Sequence, residues 1–221
     1  MLETKKLGYW YGHEDDALFK NVTLSFDAGK SYAIVGQSGS GKTTFLSLIS
    51  GLDVPKAGVI EFNGQDISKV GLTNYRQHDV AIVFQSYNLF NYMSALENLM
   101  TAMAITGAQH KGDKEFARQM LAKLGLTDEQ MVKNVQKLSG GQQQRVAIAR
   151  TMCCDAPLVV ADEPTGNLDE QNTVEVIDLF QQIAHEQHKC VIIVTHESEV
   201  AARCDVAIRL AERTFRVEQP A

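Results

Sequence analysis

Hydrophobic residues change their spacing along the chain, and these changes predict the order of strands and helices. Near the amino terminus, apolar residues from Leu18 to Phe26 fall mostly on alternate positions around Asn21, which predicts a half-buried strand. The continuous apolar run at 32–35 predicts a fully buried strand. The run at 45–50 has the length and composition of a buried helix that ends at Gly51.

Further strands are predicted on both sides of a long central segment. Alternation over 58–62 runs into Asn63-Gly64, the dipeptide most typical of a two-residue hairpin turn, so the β-rich part continues to about Ile67. Short apolar runs at 81–84, 158–161 and 190–194 have the character of buried strands. The last apolar segments, 206–210 and 215–217, predict a hairpin.

From Ser94 onward the apolar spacing lengthens to the period of a helix. Two apolar stripes predict the core of a helical subdomain, and they consist of Leu96, Leu99, Met100 and Met103 in the first segment and Phe116, Met120 and Leu124 in the second. A further helix is predicted from about Glu170 to Gln187. Strands and helices in this mixture place the chain in the α/β class.

Composition narrows the possible roles. The chain has 221 residues, 44% of them hydrophobic, and a formal charge of −6. Such a charge disfavours a nucleic-acid partner, whose binding surface would be basic. No apolar segment approaches the roughly 18 residues needed to cross a bilayer, so any membrane role is expected to come through a partner. The four cysteines lack metal-ligand spacing, which predicts buried thiols in a reducing compartment.

A glycine-rich stretch, GQSGSGKT, occupies residues 36–43 between a predicted strand and a predicted helix. It matches the pattern GxxxxGK[ST] of a phosphate-binding loop in the strand–loop–helix context that this loop requires. Its glycines allow backbone N–H groups to turn inward, and the positive end of the helix dipole adds to the anion site. We expect Lys42 to lie between the β- and γ-phosphates and Thr43 to offer its hydroxyl to Mg²⁺.

Candidate catalytic groups follow two later strands. Asp162 and Glu163 end the strand predicted from Leu158, and in a chain with a phosphate loop Asp162 suits a magnesium role and Glu163 that of a base acting on water. His196 follows the next strand. Ligands bind beyond the carboxyl ends of such strands, so we expect His196 to join the same site.

Three other segments carry candidate chemistry. The sequence LSGGQ at 138–142 precedes a predicted helix whose glycine-rich start is a second anion site. Three adjacent aromatics at 9–11 either provide a ring that stacks on adenine or fill the edge of a sheet. Gln85, at a strand end, either reaches a metal or water or is a surface residue. The apolar loop at 87–93 is expected to be covered by a partner.

These motifs, in this order, resemble the nucleotide-binding domain of ABC transporters over nearly the whole chain. Within that family, three segments resemble those of the branch that contains macrolide exporters, lipoprotein-releasing systems and bacitracin-type peptide exporters. They are IVFQSYNL at 82–89, ALEN at 95–98 and ADEPTGNLD at 161–169. Two departures are the Lys30 that follows Gly29, where an acid is usual, and the carboxyl-terminal hairpin, which lacks the usual glycine turn. Neither touches the chemistry.

The resemblance implies a fold and a domain division. The expected fold is a P-loop NTPase with a RecA-like core, an N-terminal antiparallel β subdomain and an inserted α-helical subdomain. A single ATP-binding domain would span 1–221. The core and β subdomain would comprise 1–87 and 155–221, and the helical subdomain 88–154.

The resemblance also implies an ATP-hydrolysing subunit that uses ATP and Mg²⁺ and works as a homodimer with a second copy of itself. Two anion-binding helix ends for one nucleotide support such a two-fold arrangement independently. The expected catalytic residues are Glu163, His196, Gln85 and Lys42. Those expected to bind nucleotide are Tyr9, Gly36, Gln37, Ser38, Gly39, Ser40, Gly41, Lys42, Thr43 and Thr44. Those expected to bind it from the other copy are Ser139, Gly140, Gly141, Gln142 and Asp169. The expected metal ligands are Thr43, Gln85 and, through water, Asp162.

The spacing of Tyr9 and Gly12 before Asn21 resembles the branch in which a tyrosine stacks on adenine, so Tyr9 is the first choice and Tyr11 the reserve. The expected partner is an integral membrane permease of the FtsX-like type, contacted through the loop at 87–93, which places the protein at the cytoplasmic face of the membrane. The leading function is export or extraction of a peptide, drug or lipoprotein. The alternative is an ATPase that drives a non-transport membrane partner, as in cell-division signalling to wall hydrolases. A soluble ATPase acting on DNA or ribosomes is disfavoured by the acidic charge.

Overall fold

The computed structural model describes residues 1–166 and 168–218, which form two β-sheets with helices packed around them. Asn167, part of the NLD sequence noted above, lies outside the described residues. The strands are β1 (Leu2–Tyr9), β2 (Phe19–Phe26), β3 (Ser31–Val35), β4 (Ala57–Phe62), β5 (Gln65–Asp66), β6 (Val80–Val83), β7 (Leu158–Asp162), β8 (Cys190–Thr195), β9 (Val206–Ala211) and β10 (Thr214–Glu218). The helices are α1 (Lys42–Ile49), α2 (Ile67–Val70), α3 (Leu72–His78), α4 (Ala95–Thr106), α5 (Lys114–Lys123), α6 (Asp128–Val132), α7 (Gly140–Met152), α8 (Glu170–Glu186) and α9 (Ser198–Arg203).

The larger sheet has the strand order β10-β9-β3-β8-β7-β6. Strands β9, β3, β8, β7 and β6 run parallel, and β10 pairs antiparallel with β9. In this sheet Ala33 pairs with Ile193 and Val160 with Ile192, and all four are fully buried. Burial on both faces explains why these strands have continuous apolar runs and no alternation. The parallel arrangement brings the carboxyl ends of β3, β6, β7 and β8 to one edge of the sheet.

The smaller sheet is antiparallel, with the order β2-β1-β4-β5. The predicted hairpin turn is confirmed, because β4 and β5 pair around Asn63 and Gly64, whose φ angles are 49° and 77°. A two-residue turn of this kind needs left-handed backbone at both positions, which asparagine and glycine tolerate best. The expectation that the β-rich part continues to about Ile67 is therefore also confirmed, since β5 ends at Asp66.

Helix α1 is packed against residues of both sheets. Phe45 is fully buried, in one hydrophobic cluster with Phe26 of β2, Ile60 of β4 and Ile192 of β8. A helix fixed on two sides cannot shift without opening this cluster. The start of α1 at Lys42 is therefore held in a fixed position at the sheet edge.

The helices between β6 and β7 form a second hydrophobic cluster with the other face of the larger sheet. Helix α4 begins as predicted after Ser94, whose side chain forms a reciprocal cap with Glu97. Leu96, Leu99 and Met103 are buried in the cluster, and Met100 packs against it half-buried, so the first predicted stripe is confirmed.

The second predicted stripe is displaced. In α5 the fully buried residues are Ala117 and Leu121, whereas Phe116 and Met120 are only half-buried at the margin of the cluster. Leu124, the third predicted member, is buried. The small side chain at Ala117 allows α5 to approach its neighbours along this line, and the larger residues beside it lie at the edge.

The carboxyl-terminal hairpin is confirmed, with β9 and β10 paired from Ala211–Thr214 outward. Its turn is made by Glu212 and Arg213, which adopt φ angles of 49° and 63° without the help of glycine. Such left-handed conformations are unfavourable for residues that carry a Cβ, so the strand pairing on either side must hold the turn in place.

Two further expectations concern cysteines and membrane spans. Cys153, Cys190 and Cys204 are buried free thiols, and burial raises the pKa of each to about 12, whereas the fourth free thiol, Cys154, is only half-buried. Such thiols are poor nucleophiles, which agrees with the predicted structural role. Among the described residues, none of the helices combines the length and the apolar character that a membrane crossing demands.

Candidate functional site

The glycine-rich loop at 36–41 connects the end of β3 to the start of α1 at the carboxyl edge of the larger sheet. Gly41, the residue just before the helix, has a φ of 106°, which disfavours any residue with a Cβ. At Gly36 an added Cβ would lie only 2.6 Å from the carbonyl oxygen of Leu210. The glycines at these two positions are therefore required by backbone conformation and by close packing against β9.

Lys42 and Ser40 present unused hydrogen-bonding capacity inside this loop. Lys42 is 6% exposed, and its Nζ donates to the carbonyl oxygens of Gly36 and Gln37 at 2.8 and 3.1 Å. The buried Oγ of Ser40 has no hydrogen-bond partner among the described residues. A buried hydroxyl without a partner is costly, and a bound phosphate oxygen would satisfy it. The loop therefore fits a phosphate group.

A cavity of about 1,230 Å³ opens in front of the loop. This volume is large enough for a nucleoside triphosphate. Its lining combines the loop with residues from several distant segments: Tyr11, Leu18, Val35, residues 36–44, Gln85, Glu163, His196 and residues 209–212. The predicted catalytic residues Lys42, Gln85, Glu163 and His196 thus share one cavity.

Oxygen donors suitable for a magnesium ion lie beside the loop. The hydroxyl of Thr43 donates to Oδ1 of Asp162 at 3.2 Å, and Gln85 lines the same cavity. Burial raises the pKa of Asp162, as does the neighbouring carboxylate of Glu163, so a cation near Asp162 would be favoured. Within the described chain no cluster of three or more His, Cys, Asp or Glu side chains could hold a metal ion. The hydroxyl of Thr43, the amide of Gln85 and the carboxylate of Asp162 are oxygen donors of the kind that Mg²⁺ takes beside phosphate and water.

Glu163 follows directly after β7, in a left-handed backbone conformation with φ of 45°. Its N–H donates to the carbonyl oxygen of Val194 at 2.9 Å, which keeps the residue attached to the sheet edge. Its side chain is 15% exposed, with Oε2 2.9 Å from Nδ1 of His196 and Oε1 3.9 Å from Nζ of Lys42. The sheet edge therefore holds an acid between an imidazole and an ammonium group, next to the phosphate loop.

The two candidate tyrosines have different positions, which favour the reserve candidate Tyr11 over Tyr9. Tyr9 is 6% exposed, and its hydroxyl donates to Asp53 at 2.5 Å, which is the main reason that the pKa of Tyr9 is raised to about 12. Tyr11 is 75% exposed, lines the cavity, and its hydroxyl lies 3.0 Å from that of Thr44. The reserve candidate Tyr11, and not Tyr9, is available to a ligand in the cavity.

The LSGGQ residues do not reach this cavity. Ser139 caps α7 through a reciprocal pair of hydrogen bonds with Gln142, in which each side chain accepts from the other's backbone N–H. Gly140 and Gly141 form the first turn, and an added Cβ at either would lie 3.1 Å from a polar side-chain atom, of Tyr87 and Asn172 respectively. The start of α7 does not line the cavity that contains the Lys42 loop of its own chain, and its role as an anion site stays a prediction.

Asp169 likewise lies away from the cavity, at the start of α8, and is held there by Asn172. Its carboxylate accepts from the backbone N–H of Asn172 at 2.9 Å and from the side-chain Nδ2 at 2.8 and 2.9 Å, and these bonds lower the pKa of Asp169. The Oδ1 of Asn172 accepts from Arg145 of α7 at 3.0 Å. Sequence reasoning missed Asn172, whose only signal is its place three residues after a capping acid.

The β9–β10 hairpin was also missed as part of the cavity wall. Residues 209–212 line it, and Arg209 pairs with Glu218 across the hairpin. Sequence reasoning predicted the hairpin but carried no signal for this position. The position depends on the parallel pairing of β9 with β3, which joins segments far apart in the chain.

The apolar loop at 87–93 is tied to the helices on both sides. Arg150 of α7 donates to the carbonyl oxygens of Asn88 and Tyr87 at 2.7 and 3.2 Å. The fully buried Asn98 of α4 accepts from the N–H of Phe90 at 2.8 Å. Within this fixed loop Tyr92 is 77% exposed. The loop therefore presents an aromatic surface on a defined backbone.

Comparison with known proteins agrees with this geometry. A family model described as "ABC transporter" matches residues 19–166. The chain is 52% identical to an uncharacterized ABC transporter ATP-binding protein, YclH, of Bacillus subtilis (strain 168), over 99% of this chain and 97% of that protein. It is 35% identical to the lipoprotein-releasing system ATP-binding protein LolD of Geobacter metallireducens, over 93% and 92% of the two chains.

Solved structures show the same fold. The dimeric structure of MJ0796, described as a bacterial ABC transporter cassette, matches with a TM-score of 0.88 at 31% identity, covering 100% of this chain and 99% of that one. A second MJ0796 structure, a post-hydrolysis state bound to ADP and Pi, matches equally well. The predicted class, an ATP-binding cassette of mixed α/β structure with a separate antiparallel sheet, is confirmed. The chain belongs to the ABC transporter family, as an ATP-binding and ATP-hydrolysing subunit.

Proposed function

We propose that this ATPase works as a two-fold dimer, with each ATP held between the Lys42 loop of one copy and the Ser139 helix end of the other. The observation that carries the proposal is that the glycine-rich start of α7 does not line the cavity that contains Lys42. Such a helix end favours an anion but finds none within its own chain. A two-fold dimer brings it the phosphates held by the other copy. That the similar protein MJ0796 has a dimeric structure supports a dimer here.

In this proposal each residue at the sheet edge has its own role in ATP hydrolysis. Lys42 leaves the two carbonyl oxygens it now contacts and neutralises the β- and γ-phosphates. Glu163 accepts the proton of the attacking water, and His196 holds the γ-phosphate and positions that water. Thr43, Gln85 and, through water, Asp162 would hold Mg²⁺, which when bound spreads the negative charge of the phosphates. Tyr11, lining the cavity, stacks on the adenine.

We further propose a membrane permease as the partner, contacted by the loop at 87–93. Two relatives have names that describe a task. One is a lipoprotein-releasing system protein. The other, at 37% identity over 96% of this chain, is the macrolide export ATP-binding/permease protein MacB of Hyphomonas neptunium. The chain spans only 33% of that MacB, whose name includes a permease. These names support a membrane permease as the separate partner, which we propose is FtsX-like, with export or extraction of a lipoprotein, drug or peptide as the task at the cytoplasmic face of the membrane.

The dimer is tested in a Glu163→Gln background, in which bound ATP should persist. With ATP, light scattering after gel filtration should report a doubling of mass, and with ADP a monomer. Adding Ser139→Arg puts a bulky side chain where the other copy's nucleotide would lie. Dimers should then disappear while the monomer still binds ATP with nearly unchanged affinity.

Ser25→Arg is the matched control, because Ser25 is exposed on the smaller sheet, in β2. It should leave the ATP-dependent dimer intact. If Ser139→Arg instead abolishes ATP binding by the monomer, the LSGGQ helix serves its own chain's site. If dimers persist in that variant, Ser139 is not at the interface, and the proposed arrangement is wrong.

A further inference from the structure

A second cavity, of about 470 Å³, lies at the opposite edge of the larger sheet from the ATP site. One of its lining residues, Lys189, immediately precedes β8, whereas His196 follows the far end of the same strand. The other lining residues come from α5, from the segment before α5, from the end of α7 and the turn after it, and from the residue after α8. The cavity therefore lies between the larger sheet and the helices that are inserted after β6. None of the expected ATP-site residues lines it.

Lys189 is the unusual residue of this cavity. It is 8% exposed, and its side chain makes no hydrogen bond or ion pair with any other residue that the structure describes. Burial lowers the pKa of Lys189, and the negative charge of Asp155 nearby opposes that shift only in part. Since buried lysines are normally paired, this one points to a partner that is not part of the chain.

The acid beside Lys189 does not fill that role. Asp155 lines the same cavity, but its Oδ2 accepts from the backbone N–H of Gln109 at 2.7 Å and lies outside ion-pair distance of Lys189. The negative charge of Asp155 instead limits which anions can bind in the cavity. A multiply charged phosphate would meet one cation and one nearby carboxylate, whereas a single carboxylate group could pair with Lys189 alone.

Part of the remaining wall is apolar and flat, and it lies beside the polar residues Gln109 and Gln187. The rings of His110 and Phe116 are stacked with centroids 3.9 Å apart and an angle of 12° between their planes. Met120 and Met152 add thioether side chains, which adapt to flat aromatic ligands and contact them favourably. The cavity thus combines one unpaired cation with a surface suited to a planar apolar group.

We propose that this cavity binds a small organic monoanion, a carboxylate on a planar apolar body, with Lys189 pairing with the carboxylate. Bound there, it would bridge α5 and the start of β8. Nearby, the ion pair of Lys123 with Glu186, at 3.7 Å, already links α5 to the end of α8. A ligand bound in this cavity would favour one position of the inserted helices relative to the sheet. The proposal does not depend on the proposed dimer or permease.

The test uses the full chain without nucleotide, labelled with ¹³C at the methionine methyl groups, and 2-naphthoate as the probe. Saturable shifts are expected for Met120 and Met152, with none for Met93 in the 87–93 loop. The neutral amide 2-naphthamide has the same shape and should bind at least about tenfold more weakly, since a charge-assisted hydrogen bond is lost. This comparison needs no variant and therefore does not depend on folding.

Lys189→Met keeps the apolar stem and removes the charge, so it should weaken naphthoate binding by about tenfold or more without weakening the binding of the amide. Lys111→Met, at an exposed lysine close in sequence to His110, is the matched control and should bind like the wild type. Because Lys189 has no partner in the chain, its replacement should not lower the melting temperature. Equal binding of acid and amide, unchanged binding in Lys189→Met, or no saturable shift at Met120 and Met152 would each overturn the proposal.

Discussion

Oε2 of Glu163 lies 2.9 Å from Nδ1 of His196, and the other carboxylate oxygen lies 3.9 Å from Nζ of Lys42. An ionised carboxylate can only accept hydrogen bonds, so Nδ1 of His196 carries the proton in this contact. The other ring nitrogen, Nε2, makes no part of this contact and lies on a side chain that is 62% exposed. Glu163 therefore orients the imidazole of His196 as well as facing the phosphate loop.

Replacing Glu163 by Gln tests whether it is the base. The amide keeps the shape of the side chain and can still accept from His196, but it cannot take a proton from water. ATP binding should be retained while steady-state phosphate release falls by about 10²-fold or more. Glu199→Gln, at an exposed acid in the first turn of α9, should retain wild-type turnover. Wild-type turnover in Glu163→Gln would move the role elsewhere, with His196 as the next candidate.

Two tyrosine variants should separate nucleotide binding from stability. Tyr11→Ala removes the exposed ring that lines the cavity, so the KM for ATP should rise with little change in the free energy of unfolding. Tyr9→Phe removes the 2.5 Å hydrogen bond to Asp53 and should cost about 1–2 kcal/mol of unfolding free energy with an unchanged KM. Urea unfolding and ATPase assays on both proteins measure the two effects. The reverse pattern would restore Tyr9 as the adenine contact.

Asn172 is expected to position two segments at the proposed dimer interface. It donates to Asp169 and accepts from Arg145 of α7, so Asn172→Asp places two carboxylates face to face with almost no change in shape. In the Glu163→Gln background, the resulting repulsion should weaken ATP-dependent dimers about tenfold. ATP binding by the monomer should not change.

Asn74→Asp, at an exposed position in α3, is the matched control for this change of charge and should dimerise normally. Sedimentation velocity at several protein concentrations measures the dimer affinity. A variant Asn172→Asp that dimerises like its control would show that the bridge from α7 to Asp169 does not matter for assembly.

The proposed permease contact is best probed at Tyr92. Changing Phe90 or Met93 to Asp is expected to abolish complex formation, but both side chains are half-buried, and Met93 Sδ accepts from Thr101 at 3.6 Å. Tyr92 is 77% exposed, so Tyr92→Asp should prevent co-purification with the permease while leaving folding and basal ATPase activity unchanged. Val217→Asp, 63% exposed on β10, is the control. Intact co-purification of all three loop variants would remove this loop from the interface.

The sequence alone was sufficient for the parts of the site that depend on local patterns. The phosphate loop needs glycines at fixed places between a strand and a helix, so its conformation is encoded in eight adjacent residues. Asp162, Glu163 and His196 follow buried strands, and the carboxyl ends of parallel strands meet at one edge whatever the order of the strands. Their approach to Lys42 could therefore be predicted without knowing the topology.

Other features were decided only by the tertiary structure, because they depend on contacts between distant segments. The register of β1 against β2 shifts between Leu7 and Tyr9, so alternation cannot tell which tyrosine faces the core and which faces the cavity. The hairpin of β9 and β10 reaches the cavity only because β9 pairs with β3. Lys189 has the sequence character of a surface residue, and it is buried because α5 and the turn after α7 pack over the start of β8. Local patterns fix backbone conformation, whereas the surroundings of a side chain are fixed by packing between elements that no local pattern connects.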